Sequence, residues 1–382
     1  MAHQNHAAYL AGAKVRPFEV KTAPYTPPGP NEIVIKNGAV AVNPVDLGKQ
    51  VAGNNMFGWI KYPFILGSDV AGEVVEVGPE DAGSSFKPGD RVLGHAVAMD
   101  KRSNKASEGA YQEYTVLRTN LTAKIPDQLS YEQACVLPLC LSTAACGLFL
   151  KDYLGLQYPT ASSPPTAPLD VKRDREVVVI WGGSTAVGSN AIQLATAAGY
   201  DVFTTASPNN FDYVKSLGAV QALDYRAADT VQILISALKG RTCAGALAIG
   251  NGSLEACIDV VASSSNGRKF VAQASIPLDP TKMPKNPLAL MGVMLRFLWW
   301  NILVFMKSKV KRVRTKFIWG SDLMANELGK VIYKEFLPVA LASGQYQAKP
   351  DARVVGQGLG NIQEALDVMS KGVSTTKIVV TL

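Results

Sequence analysis

Histidine is nearly absent from this chain. Three stand in 382 residues, at His3, His6 and His95, and none lies in a metal-ligand pattern. The same scarcity rules out a Ser–His–acid hydrolase triad. Cysteine is sparse too. Cys135, Cys140, Cys146, Cys243 and Cys257 are odd in number, spread widely and without a CxxC pair, so they read as small buried apolar side chains in a reducing compartment. The opening MAHQNHAAYL lacks a basic stretch followed by an apolar core. No secretory signal is read there, and a cytoplasmic location is the expectation. Charge is modest at 18%. The net charge of +7 owes most of its excess to one run, Lys307 to Lys316 (KSKVKRVRTK), with six cations. The remainder is close to neutral, which excludes a general nucleic-acid binder.

Glycine (33) and proline (22) are plentiful, and 47% of residues are apolar. This is a globular composition with a real core, rich in turns and short strands, and long enough for roughly two or three domains. Residues 32–42 (EIVIKNGAVAV), 69–78 (DVAGEVVEVG), 90–97 (DRVLGHAV) and 111–118 (YQEYTVLR) are β-branched runs between turn residues. They predict an irregular β-domain over 1–130. IPDQLSYEQACVLPLC then opens a helix with Ser130 as N-cap. The proline-rich 158–174 predicts a surface loop. EVVVIWGG (176–183) is a continuous apolar run, as in a strand buried on both faces. A helix over 184–199, a strand over 201–207, a helix over 211–219 and strands near 244–250 and 269–274 follow. The alternation predicts an α/β doubly wound fold over 131–334. NIQEALDVMSKGVSTTKIVVTL closes the chain with a helix, a Gly372 stop and a strand.

The loop WGGSTAVGSN sits between the apolar strand and the alanine-rich helix. Gly182, Gly183 and Gly188 let the backbone turn tightly and approach a pyrophosphate, while Ser184, Thr185, Ala186 and Val187 start the helix whose free N–H groups would hold it. The spacing is not a strict GxGxxG; the strand-to-helix placement carries the inference. An acid at the tip of the second strand would accept from the 2′-OH of NAD. TTASPNNFDY has none at that tip. Ser207, Asn209 and Asn210 are neutral there, with Lys215 and Tyr225 downstream, and the pattern favours NADPH.

The split β-domain, GSDVAGEVVEVG and GGSTAVG together resemble the medium-chain dehydrogenase/reductase superfamily over nearly the entire chain. NPVD (43–46), YPFILGSDVAG (62–72), TASPNNFDYVKSLGA (205–219) and VSTTKIVVTL look like its zinc-independent fungal branch, which includes trans-acting enoyl reductases of polyketide pathways and quinone-reductase-like oxidoreductases. The resemblance implies a GroES-like β-domain, completed by 335–382, plus a doubly wound Rossmann domain. It implies that Asn43, Asp46, Ser184–Val187, Ser207–Asn210 and Tyr225 line the NADPH site. Val373 and Ser374 would approach the nicotinamide, and Leu137–Ala144, including Thr143, would contact substrate or cofactor. The partner would be a small apolar or acyl substrate, delivered in some members by a polyketide synthase, and the protein a monomer or homodimer.

Zinc members of the superfamily use a cysteine near Val45–Asp46 and the histidine of a GHE turn. Here those positions read NPVD and GSD, with Ser68 in the turn, and the four-cysteine lobe expected after about residue 95 is missing. No metal site is expected. Without a Lewis acid, simple alcohol chemistry loses its electrophile. Reduction of a conjugated C=C remains, with hydride at the β-carbon and the enolate held by hydrogen bonds. The proton donor is open. Tyr62, Lys49 and Asp46 are candidates, each with a plainer reading: Asp46 as a strand-turn hydrogen bonder, Lys49 as a surface residue, Tyr62 as core edge. A detoxifying quinone or enone reductase stays open as an alternative, as does a non-redox Rossmann binding protein or cyclisation catalyst.

One stretch departs from the resemblance. Pro287 to Met306 (PLALMGVMLRFLWWNILVFM) precedes the basic run. An apolar insert over 287–316 fits three arrangements: a partly buried helix or lid for a greasy substrate, an interfacial anchor with the cations on anionic headgroups, or a membrane span.

Overall fold

A computed structural model describes residues 4–79, 86–161, 175–279, 282–284 and 286–382. Of the proline-rich stretch, 162–174 lies outside the described residues, as does His3. The chain divides into two units, 1–142 with 324–382, and 143–323.

The first unit is built around the strand Glu32–Ala41. It pairs antiparallel with Asp69–Val77, Tyr114–Arg118 and the closing strand Thr376–Thr381. Gly72 permits this: a Cβ there would lie 2.1 Å from the Lys36 carbonyl oxygen, so the two backbones approach only without a side chain. Asp351–Gln357, Arg91–His95 and Thr122–Lys124 complete a seven-stranded sheet. A second sheet orders Glu19–Ala23, Asn5–Leu10 and Phe64–Ile65. Inward residues such as Ile33, Ile35, Val70, Val74 and Val380 form the core. The short helix Tyr131–Ala134 has the expected Ser130 cap, with Gln133 answering it in a capping box. Its Tyr131 ring lies where a Cβ on Gly38 would stand. That packing carries the first unit past residue 130 to Ser142.

The second unit is a parallel sheet. Its strand order is Ala219–Asp224, Asp201–Ala206, Val177–Trp181, Thr242–Ala248, Phe270–Gln273, Arg314–Phe317, that is third, second, first, fourth, fifth, sixth, the doubly wound order with its reversal between first and fourth. Val177–Trp181 is buried throughout, which explains its continuous apolar sequence. The helices Ala186–Ala197, Phe211–Ser216, Thr230–Ala237 and Ser253–Ser263 alternate with the strands. The insert forms the long helix Pro287–Val310 on the connection between the last two strands.

Candidate functional site

NPVD does not turn between strands; it opens a helix, Pro44–Ala52. Pro44 suits the first turn, and the Asn43 N–H donates to Asp46 Oδ2 at 2.9 Å. The Tyr111 hydroxyl donates to the same oxygen at 2.8 Å. Asn43 Nδ2 in turn donates to Asp69 Oδ2 at 2.8 Å. Asp69, the first residue of its strand, also accepts from the Leu139 N–H at 2.6 Å. Its counter-charge is Lys377 of the closing strand, with Nζ 2.9 Å from Oδ2. Lys377 donates as well to Asn43 Oδ1 and, at 3.5 Å, to Cys140 Sγ. Elements from both ends of the first unit thus meet in one buried network.

Burial sets its electrostatics. Desolvation pushes Asp46 up to about 7, against the lowering effect of its bonds from Tyr111 and Asn43. Its Oδ1 is buried with no partner among the described residues. The Tyr111 hydroxyl is pushed well up, by burial and then by Asp46. Burial alone would lower Lys377, but the Asp69 carboxylate outweighs it and the ammonium stays charged. His95 lies opposite Asp69 in the strand register. Burial pulls it down to about 4, so its ring is neutral.

Several sequence expectations change here. Asn43 and Asp46, assigned to the cofactor, are buried and bonded within the network, and Asp46 is a helix residue. Lys49 is not a surface residue: it is fully buried, and Nζ donates to the carbonyls of Gly53, Met56 and Phe57 at 3.0, 2.8 and 3.3 Å. Those bonds close the chain after the helix and occupy all three of its protons. Lys49 also sits 4.9 Å from the Tyr62 ring centroid. Tyr62 is partly buried against the core, its hydroxyl buried and unpartnered among the described residues. Leu137, assigned to substrate, is fully buried in the core. Thr143 is partly buried in the helix Pro138–Phe149, while Val373 and Ser374 are exposed just before the closing strand. Lys377 and Tyr111 were not among the sequence candidates, whereas Cys140 falls within the Leu137–Ala144 stretch. The only local hint of Lys377 is a cation beside the apolar run Ile378–Val380 in a strand.

A zinc ion does not fit this donor set. Ser68 stands in the turn, Asp46 is an acid that titrates near neutrality and is tied to Tyr111, and the charge of Asp69 is already met by an ammonium. Among the described residues no three His, Cys, Asp or Glu side chains are placed to hold a metal.

In the second unit the glycine loop has the geometry its sequence implies. Gly182 takes φ +87°, and a Cβ on Gly188 would lie 2.2 Å from the Gly182 carbonyl oxygen. A Cβ on Gly183 would lie 2.1 Å from Thr204 Oγ1. The loop therefore folds on itself and onto the neighbouring strand only as glycine. Thr185 caps the helix, accepting from the Gly188 N–H at 3.0 Å and donating to the Gly182 carbonyl at 2.8 Å. Ser184, Ala186 and Val187 are partly exposed at the positive end of a twelve-residue helix, where first-turn N–H groups lack intrahelical partners. A dinucleotide's pyrophosphate fits there.

The second strand ends at Ala206, opposite Asp224. Ser207 and Tyr225 therefore follow at adjacent strand ends. Ser207 and Asn210 are partly exposed, and Asn209, Lys215 and Tyr225 exposed. The guanidinium of Arg226 lies 5.0 Å from the Tyr225 ring centroid, and the Arg226 backbone N–H donates to Asp224 Oδ1 at 3.0 Å. Arg226 supplies a cation that the second strand's own tip lacks. Its position at the end of QALDYR, one strand over, was its only signal.

Residues 29–127 match the alcohol dehydrogenase GroES-like domain. Over 379 residues the chain is 52% identical to the dehydrogenase pigH of Monascus ruber, covering 99% of both. It is 37% identical over 380 residues to the trans-enoyl reductase himH of Aspergillus japonicus, covering 98% of this chain and 97% of the other. The crystal structure of the CurK enoyl reductase superposes with a TM-score of 0.70 at 20% identity over 99% of both chains, a likeness of fold. With a GroES-like unit, a doubly wound unit and a glycine loop suited to a nicotinamide dinucleotide, the chain belongs to the medium-chain dehydrogenase/reductase superfamily and is an oxidoreductase.

Proposed function

We propose that the protein is an NADPH-dependent, zinc-independent reductase of an activated C=C bond, an enoyl or enone group, in secondary metabolism. The observation that carries this reading is the Lys377–Asp69 ion pair beside Ser68. The resemblance puts the zinc members' histidine at Ser68, and the carboxylate next to it in sequence is neutralised by an ammonium, which supports a substrate that needs no Lewis acid. Likeness to proteins named trans-enoyl reductases supports the same reading. When bound, NADPH would supply a hydride to the β-carbon, with water as the proton source for the α-carbon. Ser184, Ala186 and Val187 would hold the pyrophosphate. Ser207, Asn210, Lys215 and Arg226 would hold the 2′-phosphate, with Tyr225 backing the guanidinium. Lys49 and Asp46 do not donate the proton directly, since both spend themselves inside their unit. The five cysteines, free and buried, support a reducing cytoplasm, and the substrate reads as apolar or acyl, carried in one version by a polyketide synthase. The test is the loss of NADPH absorbance with an α,β-unsaturated thioester or enone, product mass rising by two hydrogens. Turnover confined to quinones, or product formed without NADPH loss, would overturn it.

A further inference from the structure

The helix Pro287–Val310 is built inside out. At about 100° per residue, Trp300, Val304, Lys307, Ser308 and Lys311 share one side. That side meets the helix Ser253–Ser263: Trp300 Nε1 donates to Glu255 Oε1 at 2.5 Å, and Lys307 and Lys311 pair with Asp259 at 2.7 and 2.9 Å. Polar groups therefore face the protein. Met291, Leu295, Leu298, Trp299, Ile302 and Met306 share the opposite side and face outward, Leu298 being 57% and Trp299 62% exposed. A surface helix ordinarily shows the reverse. Only Val304 and Ser308 of this helix are buried, so it packs on its unit by one side.

We propose that this face docks the protein onto an anionic lipid surface, with the helix lying in the plane of the interface. Composition and charge point there together. No aspartate or glutamate occurs from Pro287 to Phe317, whereas Lys309 and Arg312 are exposed cations on or just after the helix. An apolar face with Trp and Leu, flanked by lysine and arginine, is the pattern of an interfacial helix, with the long cationic side chains reaching headgroups.

The helix has the length and composition to cross a membrane, but the topology forbids it. The strands it connects, Phe270–Gln273 and Arg314–Phe317, are hydrogen-bonded neighbours in one sheet. A span would need the segment 274–286 to cross back, and that segment holds Pro277, Asp279, Lys282 and Pro284. A second copy is the weaker occupant by charge. A self-complementary contact would bring the same acid-free segment to both sides, leaving the cations unpaired.

The test is flotation of the full-length protein with phosphatidylcholine vesicles and with vesicles containing phosphatidylserine. Binding should favour phosphatidylserine at least tenfold, weaken with salt and shift tryptophan emission to the blue. The double variant Leu298→Gln/Trp299→Gln should abolish binding to both vesicle types. Lys309→Gln/Arg312→Gln should lower phosphatidylserine binding about thirtyfold, roughly fivefold per cation. Both should keep wild-type NADPH oxidation on a soluble enone, so vesicle binding is read apart from the catalytic reading. Equal, salt-independent binding to both vesicle types would overturn the proposal. So would failure to float together with a dimer, seen by light scattering, that the Leu298→Gln/Trp299→Gln variant dissociates.

Discussion

Lys377 and Asp69 compensate each other in a site from which water is excluded. Lys377→Met should therefore destabilise by about 3–5 kcal/mol, because it leaves a buried carboxylate without its charge partner. Adding Asp69→Asn should recover a large part of the loss, and chemical denaturation of the single and double variants measures both. Asp46 supplies a pH signature. Folded, it titrates near 7 rather than near its ordinary 3.8. It thus binds its proton more tightly folded than unfolded, and its contribution to stability is full below about pH 4 and lost as pH rises through 7. Asp46→Asn removes that dependence, so the Tm of the wild type should fall more than that of the variant between pH 5 and 8. Parallel curves would refute the assignment. At the strand tip, Ser207→Glu should weaken NADPH about tenfold or more, by placing a carboxylate against the 2′-phosphate, while leaving NADH little affected. Isothermal titration with both cofactors checks it; unchanged NADPH affinity contradicts the proposed 2′-phosphate site.

Elements differ in how openly the sequence declares them. The unit Val177–Trp181, loop, Ala186–Ala197 is contiguous, and each of its parts follows from local chemistry: β-branched residues for a doubly buried strand, glycines for the turn, small helix formers behind it. Thr185 joins the two elements, and Thr185→Ala should cost about 1 kcal/mol of stability together with cofactor affinity, read from thermal melts with and without NADPH. The helix Pro44–Ala52 was hidden by its brevity. NPVD reads equally as a turn, and only the fold shows Asp46 answering the Asn43 N–H and Tyr111. Lys49 misleads for a similar reason. A lysine after a turn is usually solvated, but here three carbonyls released at the end of its helix collect its ammonium. The long apolar helix was visible as a run of residues, yet its orientation was not, because apolar side chains occupy most of its circumference.

At the scale of the molecule, the closing strand binds the two ends of the sequence into one unit. Thr376–Thr381 lies between Asp351–Gln357 and Glu32–Ala41 and brings in Lys377. Ending the chain after Gly372 should therefore abolish cooperative folding of the first unit, visible as loss of its unfolding transition and of soluble yield. Local periodicity and glycine placement determined by themselves the β-rich first unit, the doubly wound second unit and the tight glycine loop between its first strand and helix. Each depends on neighbours within a few residues, where backbone geometry and side-chain type act directly. Tertiary structure alone decided that Asp69 is neutralised by Lys377, that Asp46 is held as an acid near neutrality, and that the helix Pro287–Val310 turns the side with Lys307 and Lys311 inward. Those outcomes depend on burial and on charges brought together from distant positions. Desolvation and Coulomb energy follow distance in space, and distance along the chain does not reveal them.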